Sequence, residues 1–156
     1  MNTIFKKLFK ELTDGYFVEI DPQYKWDKTN YLNQNKRWSG ICLSENCSQT
    51  KNHNAFVYNS YDIQDCLIKS NHSGIIHYLA INNLQNLNYI NLFTQKEYKL
   101  NHHAWRRHVI YSSINIDNID VKNELIDILN NDINLQYIDC IDNNLIFVNK
   151  LFTCLI

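Results

Sequence analysis

The sequence predicts an α+β domain built on a mostly antiparallel sheet, with an N-terminal helix and a second main helix near 119–131 followed by a C-terminal β-hairpin. Three observations lead there. Apolar runs of strand length recur along the chain, and helical spacing appears near both ends. The order of elements is helix, strands, short helix, strands, helix, hairpin, without the regular alternation of a doubly wound sheet. The length of 156 residues suits one domain over 1–156, long enough to bury about two-thirds of its unfolded surface without a metal or disulfide.

The elements follow in chain order. Phe5, Leu8, Phe9 and Leu12 fall at i, i+3, i+4 and i+7 with lysines opposite, which predicts an amphipathic helix over 3–13 that stops at Gly15. Tyr16 to Ile20 reads as a strand. Asp21 to Gly40 reads as a long irregular stretch holding the only proline, and 41–53 shows no clear period. Ala55 to Tyr61 reads as a strand and Asp62 to Lys69 as a short helix capped by Ser60 or Asp62. Gly74 to Ile81, Tyr89 to Thr94 and the end of His103 to Ile116 are further apolar runs. Val121, Leu125, Ile128 and Leu129 form one helical face behind an Asn118 or Asp120 cap. Leu135 to Ile141 and Leu145 to Phe152 flank Asp142-Asn143-Asn144, whose residue types tolerate positive φ, so the pair reads as a tight hairpin.

Composition narrows the function classes. The chain holds 24 Asn and 20 Ile against 3 Gly, 1 Pro and 3 Ala. That bias matches the codons of an AT-rich genome, so the Asn content reports mutational pressure rather than a prion-like tract. A net charge of −1 supplies no global field for nucleic acid or an anionic membrane, and neither is expected as a partner. The charge is uneven: residues 51–111 carry six Lys/Arg against three Asp/Glu and all six His, while 112–156 carry two against seven. Five cysteines, an N-terminus without a continuous apolar core and the lack of any apolar run of about 18 residues lead to a cytoplasmic expectation with free thiols.

No catalytic motif stands out. There is no glycine-rich phosphate loop, G-x-S-x-G, H-E-x-x-H or C-x-x-C. Three glycines make close wrapping of a nucleotide hard to arrange, so a dinucleotide or ATP enzyme is not expected, nor any cofactor. Cys42, Cys47 and His53 are spaced too loosely for a zinc pair, and no metal is expected. Cys66 with His77 lacks a local nucleophile signature.

Two function classes remain. The segment His102 to His108 would place His102, Arg106 and His108 on one strand face, where two imidazoles and a guanidinium can exchange protons and stabilise a phosphodiester. That is the pattern of a small histidine-dependent nuclease or phosphodiesterase. The aromatic and basic loop with Tyr24, Trp26, Arg37 and Trp38, and the acidic residues Asp132, Asp139 and Asp142, instead suit a protein interface. The sequence reading favours this second class: an immunity protein, antitoxin or other inhibitor that neutralises another protein, such as a basic toxin or nuclease.

Overall fold

The structure is a computed structural model that describes residues 9–21, 32, 37–44, 56–60, 62–72, 75–82, 109–116, 118–132 and 135–150. These residues form strands β1 (Tyr16–Ile20), β2 (Ser39–Leu43), β3 (Phe56–Tyr58), β4 (Ile76–Ile81), β5 (Val109–Asn115), β6 (Leu135–Ile141) and β7 (Asn144–Asn149). Helix α1 (Ile63–Lys69) lies between β3 and β4, and α2 (Lys122–Asp132) between β5 and β6.

The strands make one sheet in the order β3-β2-β1-β4-β5-β7-β6. β3, β2, β1, β4 and β5 are mutually parallel, and only β7 runs against its neighbours β5 and β6. The fold is therefore a mixed, mostly parallel, Rossmann-like α/β sheet. This corrects the mostly antiparallel α+β sheet that the sequence suggested. Period-2 alternation marks a strand but not the direction of its partner. Central strands buried on both faces lose even that alternation. β2, Ser-Gly-Ile-Cys-Leu, shows why the segment gave no period: four of its five residues are buried. Gly40 is required there, because a Cβ would collide with the Phe17 carbonyl and ring on β1.

Local chemistry explains the other elements. The Asp62 carboxylate accepts the Asp65 amide at 3.0 Å, capping α1. After the helix, Asn71 takes a positive φ of 58°. Asn118 Oδ1 accepts from the Asp120 amide at 2.9 Å and starts a short 3₁₀ turn, Ile119–Val121, that leads into α2. Asp142 and Asn143, at φ 49° and 61°, supply the two-residue turn that joins β6 to β7 with the primed geometry hairpins favour. Of the expected helix over 3–13, residues 1–8 lie outside the described ones, and 9–14 form turns and bends. The expected strand at 89–94 also lies outside them.

Two apolar layers sandwich the sheet. One joins Val18, Ile20, Ile41, Leu79 and Leu145 to Cys66 and Leu67 of α1 and Leu125 and Leu129 of α2. The other joins Phe17, Cys42, Tyr78, Ala80 and Ile146 to Phe9, Leu32 and Trp38. Phe9 meets Trp38, Tyr78 and Tyr111 edge to face at 5.0–5.6 Å, the orientation aromatic quadrupoles prefer. No helix among the described residues is long and apolar enough to cross a membrane.

Candidate functional site

In an open parallel sheet, ligands bind beyond the carboxyl ends of the strands, where successive connections depart in opposite directions. Here that point lies between β1 and β4: the chain runs from β1 outward to β2 and β3, then returns to place β4 and β5 on β1's other side.

Register turns this edge into a level shelf. The last apolar row across the sheet is Tyr58, Leu43, Ile20, Ile81, Ile114 and Leu145. One residue further, every strand end is polar: Asn59, Ser44, Asp21, Asn82, Asn115 and, at the start of β7, Asn144. Backbone bonds extend the ladder into this row. The amides of Asp21, Ser44 and Asn82 donate to the carbonyls of Leu43 at 2.9 Å, Tyr58 at 3.0 Å and Ile20 at 3.1 Å. Asp21 then turns the chain away with a positive φ of 50°.

Side chains alternate along a strand, so Glu19, Asp21, Ser44 and Asn82 belong to the face of Phe17, Cys42 and Ala80. Glu19 is 1% exposed and accepts a hydrogen bond from Asn82 Nδ2 at 2.9 Å. A buried carboxylate is costly unless it is hydrogen-bonded, and this bond ties the two strands that flank the switch point. Deeper on the same face, the Tyr78 hydroxyl and Ser113 Oγ share a buried hydrogen bond of 2.5 Å. Burial pushes the Tyr78 phenol well above its ordinary range, and the nearby Glu19 charge adds to this. Burial likewise pushes up the Cys42 thiol, with Glu19 again contributing. Both groups are neutral in the physiological range. The described strand-end residues thus bring two carboxylates, several carboxamides and no Lys or Arg to the switch point.

Of the residues singled out from sequence, the described ones fall elsewhere. His102, Arg106 and His108, with Tyr24 and Trp26, lie outside the described residues. Arg37 is exposed and pairs with Asp14 at 3.7 Å. Trp38 is 1% exposed, a core residue whose indole Nε1 donates to the Leu12 carbonyl at 3.1 Å. Asp132 ends α2. Asp139 is exposed on the edge strand β6 and accepts the Cys140 amide at 2.8 Å. Asp142 occupies the hairpin turn. Arg37 and Trp38 precede the amino end of β2, whereas Asp142 sits at the opposite, carboxyl edge. Cys42 and Cys66 belong to opposite apolar layers. His77 Nδ1 already accepts the Tyr16 amide at 3.0 Å.

The sequence reading passed over Glu19, Asp21, Ser44 and Asn82. Their signal was a polar residue closing each apolar run (Ile20-Asp21, Leu43-Ser44, Ile81-Asn82), which has meaning only once those ends are known to be level.

No protein-family model and no curated protein matches the chain. Among solved structures it is similar to M. capricolum TrmK in complex with the natural cofactor product S-adenosyl-homocysteine, with 11% identity and a TM-score of 0.49 over 96% of this chain and 69% of that one. The immunity-protein, antitoxin and inhibitor reading was drawn for a mostly antiparallel α+β domain, and the mixed, mostly parallel Rossmann-like sheet found here does not support it.

Proposed function

We propose that the chain, acting as one domain in the cytoplasm, binds S-adenosylmethionine at the β1–β4 switch point, as a methyltransferase-type protein. The observation that carries this is the polar row at the carboxyl ends of a sheet ordered β3-β2-β1-β4-β5-β7-β6, with Asp21 at its centre and Glu19 buried beneath it.

Charge selects among the cofactors such a crevice takes. Dinucleotides present a pyrophosphate to a glycine-rich turn after the first strand. Here β1 runs into Asp21-Pro22-Gln23, and the chain's glycines, Gly15, Gly40 and Gly74, stand elsewhere. Two carboxylates at this point repel phosphate. They suit a ligand with a sulfonium, an ammonium and no phosphate, and S-adenosylmethionine is such a ligand. Asp21, with the buried Glu19 charge behind it, would face its cationic end, while Asn115 and Asn59 offer donors and acceptors to a ribose and a purine. When bound, the cofactor supplies an electrophilic methyl group. The chain's part is to hold and orient it. The free thiols Cys42, Cys66 and Cys140 suit a reducing compartment.

Calorimetric titration and thermal unfolding with S-adenosylmethionine, S-adenosylhomocysteine, ATP and NAD test this. The first two should bind, and at about 100 times Kd should add about 2.7 kcal/mol of stability, about 5–10 °C for a chain this size. Asp21→Asn should weaken the sulfonium ligand by about tenfold or more, since hydrogen bonds and contacts to a charge are worth about 1.5–3 kcal/mol. The uncharged thioether should lose less. Binding of ATP or NAD with S-adenosylmethionine silent would overturn the proposal.

A further inference from the structure

The amino end of the β1–β4 seam is closed by a side chain rather than by the ladder. Paired residues begin at Phe17 and Tyr78. One residue earlier, the Tyr16 amide donates to His77 Nδ1 at 3.0 Å, so an imidazole stands where a carbonyl would continue the sheet.

The neighbours hold this arrangement. The His72 ring stacks on Tyr16 with centroids 3.5 Å apart and 2° between planes. The Tyr16 hydroxyl lies 3.2 Å from Ser70 Oγ, and His72 Nε2 lies 3.2 Å from the Ile75 carbonyl. The Trp38 ring meets His77 edge-on at 5.5 Å. Accepting at Nδ1 requires His77 to be neutral with its proton on Nε2. A proton on Nδ1 would set one N–H against another.

The groups around it do not favour an imidazolium. From β1 it meets Tyr16, from the turn after α1 His72, and from the entrance to β2 Trp38; Tyr58 on β3 faces Tyr16 in turn. Of the carboxylates on these elements, Asp65 pairs with Lys69 on α1 and Asp14 with Arg37 at the strand entrances, Asp62 caps α1, and Glu19 is bonded to Asn82. Burial holds His77 below the ordinary imidazole range, and His72 lowers it further.

We propose that His77 is an acid-operated latch on the β1–β4 seam: neutral, it ties the start of β1 to β4, and on protonation it releases it. The strand so released carries Glu19 and Asp21 at its far end, and the latch operates whatever ligand those residues bind.

Nuclear magnetic resonance on the full chain between about pH 8 and about pH 5, spanning the ordinary imidazole range, tests the latch. At the upper end the His77 ring nitrogens should report the Nε2–H tautomer. As His77 protonates, the Tyr16 amide, corrected for intrinsic exchange, should lose about tenfold or more of its hydrogen-exchange protection relative to Val18. His77→Asn places Oδ1 near the position of Nδ1, accepts the same bond and cannot titrate, so Tyr16 protection should become flat with pH. His72→Gln removes the like charge and should move the midpoint to higher pH. An Nδ1–H tautomer, Tyr16 protection indifferent to His77 protonation, or an unchanged acid loss in His77→Asn would each overturn the proposal. Should His77→Asn fail to fold, the tautomer and exchange readings on the unaltered chain decide alone.

Discussion

Replacing Gly15 with alanine should destabilise the protein, and its sign is informative. Gly15 has a negative φ, so alanine meets no backbone penalty there. By unfolded-state entropy alone the change would stabilise by about 0.4–1 kcal/mol. The packing opposes this. An added Cβ would lie 2.5–2.7 Å from Cε2, Cδ2 and Cζ2 of the Trp38 indole. Trp38 cannot swing clear without breaking its bond to the Leu12 carbonyl and its edge contact with Phe9. Overpacking of this kind costs about 1–3 kcal/mol. The net loss should be about 1–2 kcal/mol, a fall in Tm of about 2–8 °C. Urea and thermal unfolding of Gly15→Ala, Trp38→Phe and the double variant form the assay. Phenylalanine lacks the fused second ring with Cζ2, and its smaller ring can shift away from the new methyl, so the two changes should be non-additive, with a coupling of about 1 kcal/mol or more in favour of the double variant. A stabilised Gly15→Ala, or strict additivity, would refute the packing described for this corner.

Other changes probe the polar side of the same face. Tyr78→Phe should cost about 1–2 kcal/mol by chemical denaturation, since it takes from buried Ser113 its 2.5 Å partner; Tyr78→Phe with Ser113→Ala should cost less than the two single losses together. Asn82→Asp would put a second carboxylate where Nδ2 now bonds Glu19 at 2.9 Å. One of the two pKa values must then rise above its unfolded value near 4.3. The variant should therefore lose stability relative to the parent as pH climbs above about 4 and regain it in acid; a constant difference across that range would contradict the pairing. For the parent chain, His77 titrates below its unfolded value of 6.5 because of burial and then His72. Between those two values the unfolded state binds more protons, so stability rises with pH there. The contribution is fully present above about pH 7.5 and is lost as pH falls through 6.5 toward the folded pKa, a slope that unfolding midpoints should show and His77→Asn should remove.

Local elements were legible where local chemistry makes them. Tyr16 to Ile20, the Asp62-capped helix, the helical face of Leu125 and Leu129, and the Asp142-Asn143 turn each rest on contacts within a few residues. β2 was not, because burial on both faces removed its alternation and Gly40 read as part of a loop. Strand direction had a signal that composition obscured. Parallel neighbours need crossovers of a dozen or more residues, and 21–38, 44–55, 59–75, 82–108 and 116–134 all meet that length, while only 142–143 is a hairpin turn. Helical spacing is legible in 59–75 and 116–134, but 21–38, 44–55 and 82–108 show none that is clear, and this hid the crossovers.

The same division applies to the candidate site. The sequence by itself determined the polar residue closing each apolar run, the scarcity of glycine, the absence of a phosphate loop and the two-residue turn that returns the chain along β7. Only the tertiary structure decided that β1 lies between β2 and β4, that Tyr58, Leu43, Ile20, Ile81 and Ile114 stand in one register, and hence that Asn59, Ser44, Asp21, Asn82 and Asn115 form a single row. Side-chain period and turn preference act over a few residues and are written in neighbouring positions. Strand order is set by burying both faces of a central strand at once, which depends on segments more than sixty residues apart, such as Glu19 and Asn82.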